Sequence, residues 1–512
     1  MAFAPPHLGC NCKGVYAAAQ FTHRYIYVNI PVARDQPTGL SPLACNFFAP
    51  SPLFLSRPTM RHTNRPRRGK IFPAFFAAAL LALCSLPAAA ESPPPSVVVM
   101  TSYPEELVSL VEAGFEKAHP DTRVEIIWRR SGDAMSYAEE NPGHIDVYWA
   151  PAQRAFAKLA RKGAFKRLPA DMAGLPAKVG GFPISDPGGL YAATEIAGFG
   201  FAVNAKRLRE KKLPQPTQWT DLADPRWRDE LIFPIPSRAG FAPPLVEILA
   251  QGYGWEKGWT LLQQIGSNAR PPNADAPNDS RSIAKGRVSV AVSLDFFIRA
   301  AIDDGAPITF VYPGVTGYSP AHVGVFKDAP HPDAARTFAE YVLSDDGQKL
   351  LFHPDMRRLP VRPAVYAGKP EGYYDPFQAA KVMPFEFDNK LAQERQGLNN
   401  ALYDVMVTDQ HERLRAALAT VAKAERAAAG NQAMRAKLDR ARKLVTKLPI
   451  TEQQANALSG RFVSNFEFAD KPDANADLLR GWAEQVARNR RQAMRIAQQM
   501  IDAQPGIGGA AN

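Results

Sequence analysis

Three short segments of this 512-residue chain place small, hydroxyl-bearing or cationic residues where an apolar run gives way to a helical pattern: Thr101-Ser102, Ser131-Gly132 and Ser237-Arg238-Ala239-Gly240. Such junctions carry unpaired backbone N–H groups and the positive end of a helix dipole, a combination suited to holding an anion. Any one of them alone reads as an ordinary helix cap. The three together, one with a guanidinium able to grip phosphate or carboxylate bidentately, read as a ligand site. Tyr103, Trp149, Tyr312 and Tyr318 are candidate aromatic walls, with burial in the core as the alternative for each. Asp295 is a candidate for binding a ligand hydroxyl or pairing with Arg238, or else the cap of the helix that follows it.

Other chemistry lacks residues to perform it. No Walker-type loop, GxSxG elbow, HExxH or EF-hand loop occurs. Ser282-Ile283-Ala284-Lys285 matches SxxK, but its companion SDN and KTG motifs are missing. His119, His144, His322, His331, His353 and His411 are scattered, with no pair at metal-ligand spacing. The chain therefore reads as a binding protein and not an enzyme, with no cofactor.

The elements that must position these groups alternate. "SVVVM" leads into a helix over Pro104–Ala118, with Pro at the first turn and Glu105 and Glu106 behind it. "TRVEIIWRR" and "IDVYWA" are further strands, the second followed by the helix "QRAFAKLARKG". "GFGFAVN", "WTDLADPRWRDELIFPIPSRAG", "GRVSVAVSLDFFIRAAIDDG" and "ITFVYP" continue the pattern, and "HPDAARTFAEYVLSDDGQKLLF" is a helix pair joined at Ser344. This alternation predicts an α/β fold with a mostly parallel sheet, where ligands bind at the C-terminal strand edge. After about Phe387 the strand runs cease. Helical stretches are expected over about 389–429, 431–448 and 475–503, with Thr451 and Gln454 as the capping box of a short helix.

Residues 60–90 have the layout of a secretory signal peptide: a second Met, a basic stretch, an apolar run and Ala88-Ala89-Ala90, with cleavage near Ala90. Lipidation at Cys84 is a lesser option. Residues 1–59 read as an upstream misreading or a disordered extension. Residues 1–90 hold 9 of the 61 Lys and Arg and one of the 50 acids, so 52 basic and 49 acidic residues remain and the formal charge drops from +11 to about +3. The basic balance thus argues nothing for nucleic acid. All four cysteines also fall within this part, leaving the exported chain without disulfides or thiols.

On "DVYWAP", "DPRWRDELIFPIPSRAG", "VAVSLDFFIRAA" and "HPDAARTFAEYVLSDDGQKLLF…RRLPVRPAVY", the sequence resembles the periplasmic substrate-binding proteins of ABC importers. The likeness covers about residues 97–375, within the group that includes ferric-iron, phosphonate, sugar-phosphate and phosphoglycerate binders. With its tail, the plan also resembles the phosphoglycerate transport regulatory proteins. The resemblance implies a two-lobe periplasmic-binding-protein fold (type II) with an added all-helical C-terminal extension. Lobe one would be 97–195 plus 311–350, lobe two 196–310 plus 351–385, the extension 388–505, and "GFGFAVN" a hinge crossover. It implies a periplasmic monomer that closes on a small-molecule anion and works with an ABC permease in the inner membrane or a sensor kinase's periplasmic domain. Ferric-binding members place two tyrosines where this chain has Phe296-Phe297, which makes iron the lesser option. Phosphate-binding relatives show hydroxyls where this chain has Ala239 and Phe241, which leaves the phosphorylated character of the ligand open.

Overall fold

In a computed structural model, the structure describes residues 95–503 except 170–174, 271–279, 304, 383, 429–431 and 463–474. The expected leader and the 1–59 segment lie outside the described residues.

The first half-sheet follows the expected alternation. Strands β1 (Ser96–Thr101), β2 (Arg123–Trp128) and β3 (Val147–Ala150) are parallel, joined through helices α1 (Glu105–Ala118) and α2 (Ser131–Glu140), with α3 (Gln153–Arg161) after β3. Alternation along β1 sends Val97 and Val99 to one apolar cluster with Phe115, Trp149 and Phe338, and Met100 to another with Tyr148 and Phe156. A short hairpin, β4 (Lys178–Val179) and β5 (Phe182–Pro183), precedes the 13-residue strand β6 (Ala192–Asn204).

The second half-sheet comprises α4 (Ala205–Lys211), β7 (Leu231–Ile232), α5 (Pro243–Tyr253), α6 (Trp255–Asn268), β8 (Ala269–Arg270), α7 (Ser280–Ala284), β9 (Val290–Leu294), α8 (Asp295–Asp303) and β10 (Ile308–Val311). The chain returns through β11 (Tyr318–Val325), α9 (Pro332–Leu343), α10 (Asp345–Leu350), β12 (Leu359–Pro360) and α11 (Pro376–Val382). The strand order is β2-β1-β3-β11-β6-β9-β7-β8, with β10 and β12 also on β6; every pairing of β6 and β11 is antiparallel, so the sheet is mixed and not mostly parallel as expected. The two halves of β6 have different neighbours: residues 192–198 pair with β11, and 199–204 pair with β9 and β10. One continuous strand therefore belongs to both half-sheets, and "GFGFAVN" is its second half. Ser344 caps α10, its Oγ accepting from Gly347 N at 3.1 Å.

The C-terminal region is all helical: α12 (Asn389–Tyr403), α13 (His411–Ala427), α14 (Arg435–Val445), α15 (Glu452–Leu458) and α16 (Ala476–Asp502). Thr451 and Gln454 form a capping box at α15. The continuous helix expected over 389–429 is broken by a π-helical turn, Asp404–Thr408. Just beyond it the Gln410 amide donates to Val405 O and Ala483 O, binding this break to α16. The extension packs against the second half-sheet. Leu398, Leu402, Leu414, Trp482 and Val486 share one apolar cluster with Phe199, Phe201, Leu245 and Trp259, so α5 and α6 are covered by it. Arg490, buried, donates to Met406 O at 2.6 Å and to Gln263 Oε1 at 3.0 Å, and burial pulls its pKa down to about 10.

Candidate functional site

On the first half-sheet, β1 ends at the buried Thr101, whose Oγ1 accepts from Tyr103 N at 3.1 Å while its carbonyl accepts from Arg129 N. This tight turn projects Ser102 outward, and its Oγ lies 3.1 Å from Ser131 Oγ at the start of α2. Gly132 beside it is exposed, and a Cβ there would meet nothing within 4 Å. Two segments far apart in sequence thus make one hydroxyl-bearing rim. Behind it Tyr103 is buried, its ring 4.6 Å from that of Trp149. Trp149 is itself interior, its Nε1 donating to Thr194 Oγ1 at 3.3 Å. Trp128 donates its Nε1 to Tyr103 O yet leaves 41% of its surface exposed at this edge.

On the second half-sheet, the chain after β7 folds so that Arg238 N and Ala239 N both donate to Ile235 O. Ala239 is buried as the anchor of this turn, and Arg238 and Gly240 are exposed. The extension reaches this turn: the Tyr403 ring stacks on Phe233 at 6.0 Å, and Asp404 follows beside Ser237 and Arg238. Burial raises the Asp404 pKa, against the opposing effects of the Ser237 hydroxyl and the Arg238 charge. Among the described residues no hydrogen bond or ion pair joins Arg238 to Asp295 or to the Ser102–Ser131 rim.

Asp295 is buried at the start of α8. Its carboxylate accepts from Gly198 N at 3.0 Å, Phe296 N at 2.7 Å and the Tyr312 hydroxyl at 2.9 Å. Burial raises its pKa despite those donors, the structural signature of an anchor tying α8 to β6. Tyr312 stacks on Tyr374 at 3.6 Å, and the Tyr374 hydroxyl lies 3.2 Å from that of Tyr318. Burial is the main cause that pushes both Tyr312 and Tyr318 hydroxyls up. Beside this stack opens a pocket of about 330 Å³, lined among others by Phe182, Gln218, Tyr312, Tyr318, Tyr374 and Phe385.

Sequence reasoning missed Glu195, Arg358 and Tyr374. Arg358 Nη1 lies 3.3 Å from Glu195 Oε1, and its guanidinium sits 3.8 Å over the Phe296 ring and 5.7 Å from the Tyr103 ring. It therefore joins β6 to groups from both half-sheets. Glu195 stands inside an otherwise apolar strand, where burial raises its pKa and the Arg358 charge opposes that rise. A lone carboxylate within "AATEIAGFGFAVN" was the available signal. Ser282, of the SxxK match, is buried on α7. Among the described residues, no three His, Cys, Asp or Glu come together as a set able to hold a metal ion.

Residues 146–380 match the family of bacterial extracellular solute-binding proteins. The matched segment, a little under half of the chain, is similar to the solute-binding domain of that family. The phosphoglycerate transport regulatory protein PgtC of Salmonella typhimurium is 27% identical over 258 residues, covering 50% of this chain and 62% of that protein. Iron uptake protein A2 of Synechocystis is 26% identical over 216 residues, covering 37% of this chain and 62% of that protein. The chain thus spans less than two thirds of these relatives. The periplasmic binding protein AfuA of Actinobacillus pleuropneumoniae, solved with fructose-6-phosphate bound, superposes with a TM-score of 0.50 at 22% identity, covering 60% of this chain and 98% of AfuA. The solute-binding domain has the type II periplasmic-binding-protein fold, here with an added helical C-terminal region. No described helix is long and apolar enough to cross a membrane.

Proposed function

We propose that the protein is an exported periplasmic receptor that captures a small organic anion between its two lobes and delivers it to an ABC importer. The observation that carries this reading is the Ser102–Ser131 hydroxyl pair at the open start of α2, 3.1 Å apart, with Gly132 leaving room for a ligand. Exposed Arg238 and Gly240 are the matching groups of the second lobe. In this reading Thr101 and Tyr103 hold the first rim, Ser237 and Ala239 hold the second, and Arg358 senses closure because it touches Tyr103 and Phe296 at once. A ligand that contacts both lobes stabilises the closed state by its differential affinity for it. Phosphorylated acids and sugars head the ligand classes, in keeping with the names carried by PgtC and the AfuA complex. Ferric iron is the lesser alternative, since Phe296 and Phe297 at the head of α8 offer it no donor atoms. Calorimetric titration of wild type and Arg238→Ala with 3-phosphoglycerate and fructose-6-phosphate tests the assignment. At least one should bind wild type and lose roughly tenfold or more in affinity in the variant, about the 1.4 kcal/mol of a lost charge-assisted bond. Equal affinity in the two proteins would remove Arg238 from the site.

A second reading, a ligand sensor that signals to a membrane sensor kinase through its tail, is favoured by one observation. The extension shares the apolar core of α5 and α6, so movement of that lobe carries the tail with it.

A further inference from the structure

The face that α13 and α16 present together is used by nothing proposed for the cleft. A groove of about 570 Å³ runs there, lined by Arg413 of α13 and Arg480, Arg488 and Arg491 of α16, against only Asp409 and Glu484. Residues 480, 484, 488, 491 and 495 recur at spacings of three and four, so Arg495 extends the same helical face. Arg480 is engaged by Asp477 at 2.7 Å and Arg488 by Glu484 at 3.5 Å. Arg413 and Arg491 are exposed and have no carboxylate partner among the described residues. Ala483 and Ala487 make a shallow floor that lets another backbone come close. Gln410, only 6% exposed, also lines the groove, and its Oε1 has no hydrogen-bond partner although its amide nitrogen has two.

We infer that this groove is a docking surface for an acidic helical segment of a partner protein. From Arg480 to Arg495 the cationic stripe extends about 22 Å along the helix axis, longer than a metabolite and matched by carboxylates repeating at every turn of a facing helix. A bilayer fits less well. The large apolar side chains exposed among the described residues are Trp128 and Val382, neither on this face, so nothing here would insert among lipid chains. The surface lies in the extension, and its failure would leave the solute-binding reading untouched.

The test is fluorescence anisotropy of the full protein with a labelled, helix-forming peptide of about 20 residues bearing Glu at every fourth position, beside its Gln-for-Glu counterpart. Vesicles of phosphatidylglycerol and phosphatidylcholine form a third arm. The acidic peptide should bind at low salt, more weakly as salt rises. The charge reversal Arg413→Glu with Arg491→Glu should weaken it by at least roughly tenfold, and Arg491→Gln by less. Reversal at Lys390, an exposed lysine of α12, should leave binding unchanged. Circular dichroism of the double variant should match wild type, since both substituted side chains are exposed. The inference is overturned if the acidic peptide does not bind, if the Gln peptide binds equally, or if the Lys390 reversal weakens binding as much as the double reversal. It is also overturned if the vesicles bind through Arg413 and Arg491 while the peptide does not.

Discussion

Arg395 of α12 joins the extension to α5 through a buried ion pair. Its side chain is 2% exposed, with Nη1 3.6 Å from Glu247 Oε1 of α5, and Glu247 is equally buried. Nη2 donates to Glu452 at 2.8 Å, Nε donates to Asn456 at 2.6 Å, and the guanidinium lies 4.9 Å from the Trp255 ring. Replacing Arg395 with Met keeps much of the stem but leaves Glu247 interior with two amide donors, Asn399 Nδ2 and Gln251 Nε2. Removing one partner of a buried pair costs about 3–5 kcal/mol. The surviving amide bonds place this case near the lower end, about 3 kcal/mol, because Glu452 is half exposed and rehydrates at little cost. In scanning calorimetry that corresponds to a fall in Tm of about 3–4 °C for a unit of this size. Adding Glu247→Gln should restore most of the loss, since no lone charge then remains buried. If Arg395→Met shifted Tm no more than Arg480→Ala, whose pair with Asp477 is at the surface, or if the double variant were no better than the single, the extension would not be held to the lobe in this way.

Two further expectations concern the crossover strands. His322 of β11 is fully buried, and burial lowers its pKa from about 6.5 to about 4 although its ring Nε2 bonds to Ile184 O. The unfolded chain therefore binds the proton more readily between those values, so this contribution is present above pH 6.5 and is lost as pH falls towards 4. It amounts to about 3 kcal/mol. Urea titrations across that range should show the decline, and His322→Gln should flatten it; an equally steep decline in the variant would assign the effect elsewhere. At Gly198 a Cβ would stand 2.6 Å from Tyr312 Cε1, so Gly198→Ala should displace Tyr312 from Asp295 and cost about 1–3 kcal/mol by chemical denaturation. An unchanged denaturation midpoint would mean that the crossover yields freely at that point.

Much of the fold was legible because its signals are local. The Pro104-Glu105-Glu106 start of α1, the Ser344 cap and the Thr451–Gln454 box each declare a helix end within four residues. β11 was hidden because Pro320 reads as a strand breaker, yet it pairs opposite Ile196 in the middle of the sheet. The α5–α6 pair lacked a clear polar face because the extension covers the side that solvent would otherwise meet, an influence no window of sequence can reveal. Ser102 and Ser131 were foreseen at the ends of neighbouring strands, and the fold brings them within 3.1 Å. Asp295 turned out to be held by Gly198, Phe296 and Tyr312, and Arg238 to face Asp404 of the extension. The Glu195–Arg358 pair could not be read in advance, because nothing short of the folded crossover places those two residues together.

The central claim, that an organic anion is what the cleft takes, is met most directly by thermal-shift measurement of the protein against phosphorylated sugars and acids, dicarboxylates and ferric iron. Ligand at 100 times its Kd stabilises the folded state by about 2.7 kcal/mol, enough for a shift of several degrees. The account expects at least one phosphorylated or carboxylated metabolite to produce that shift, with ferric iron producing none. A shift with ferric iron alone would contradict it.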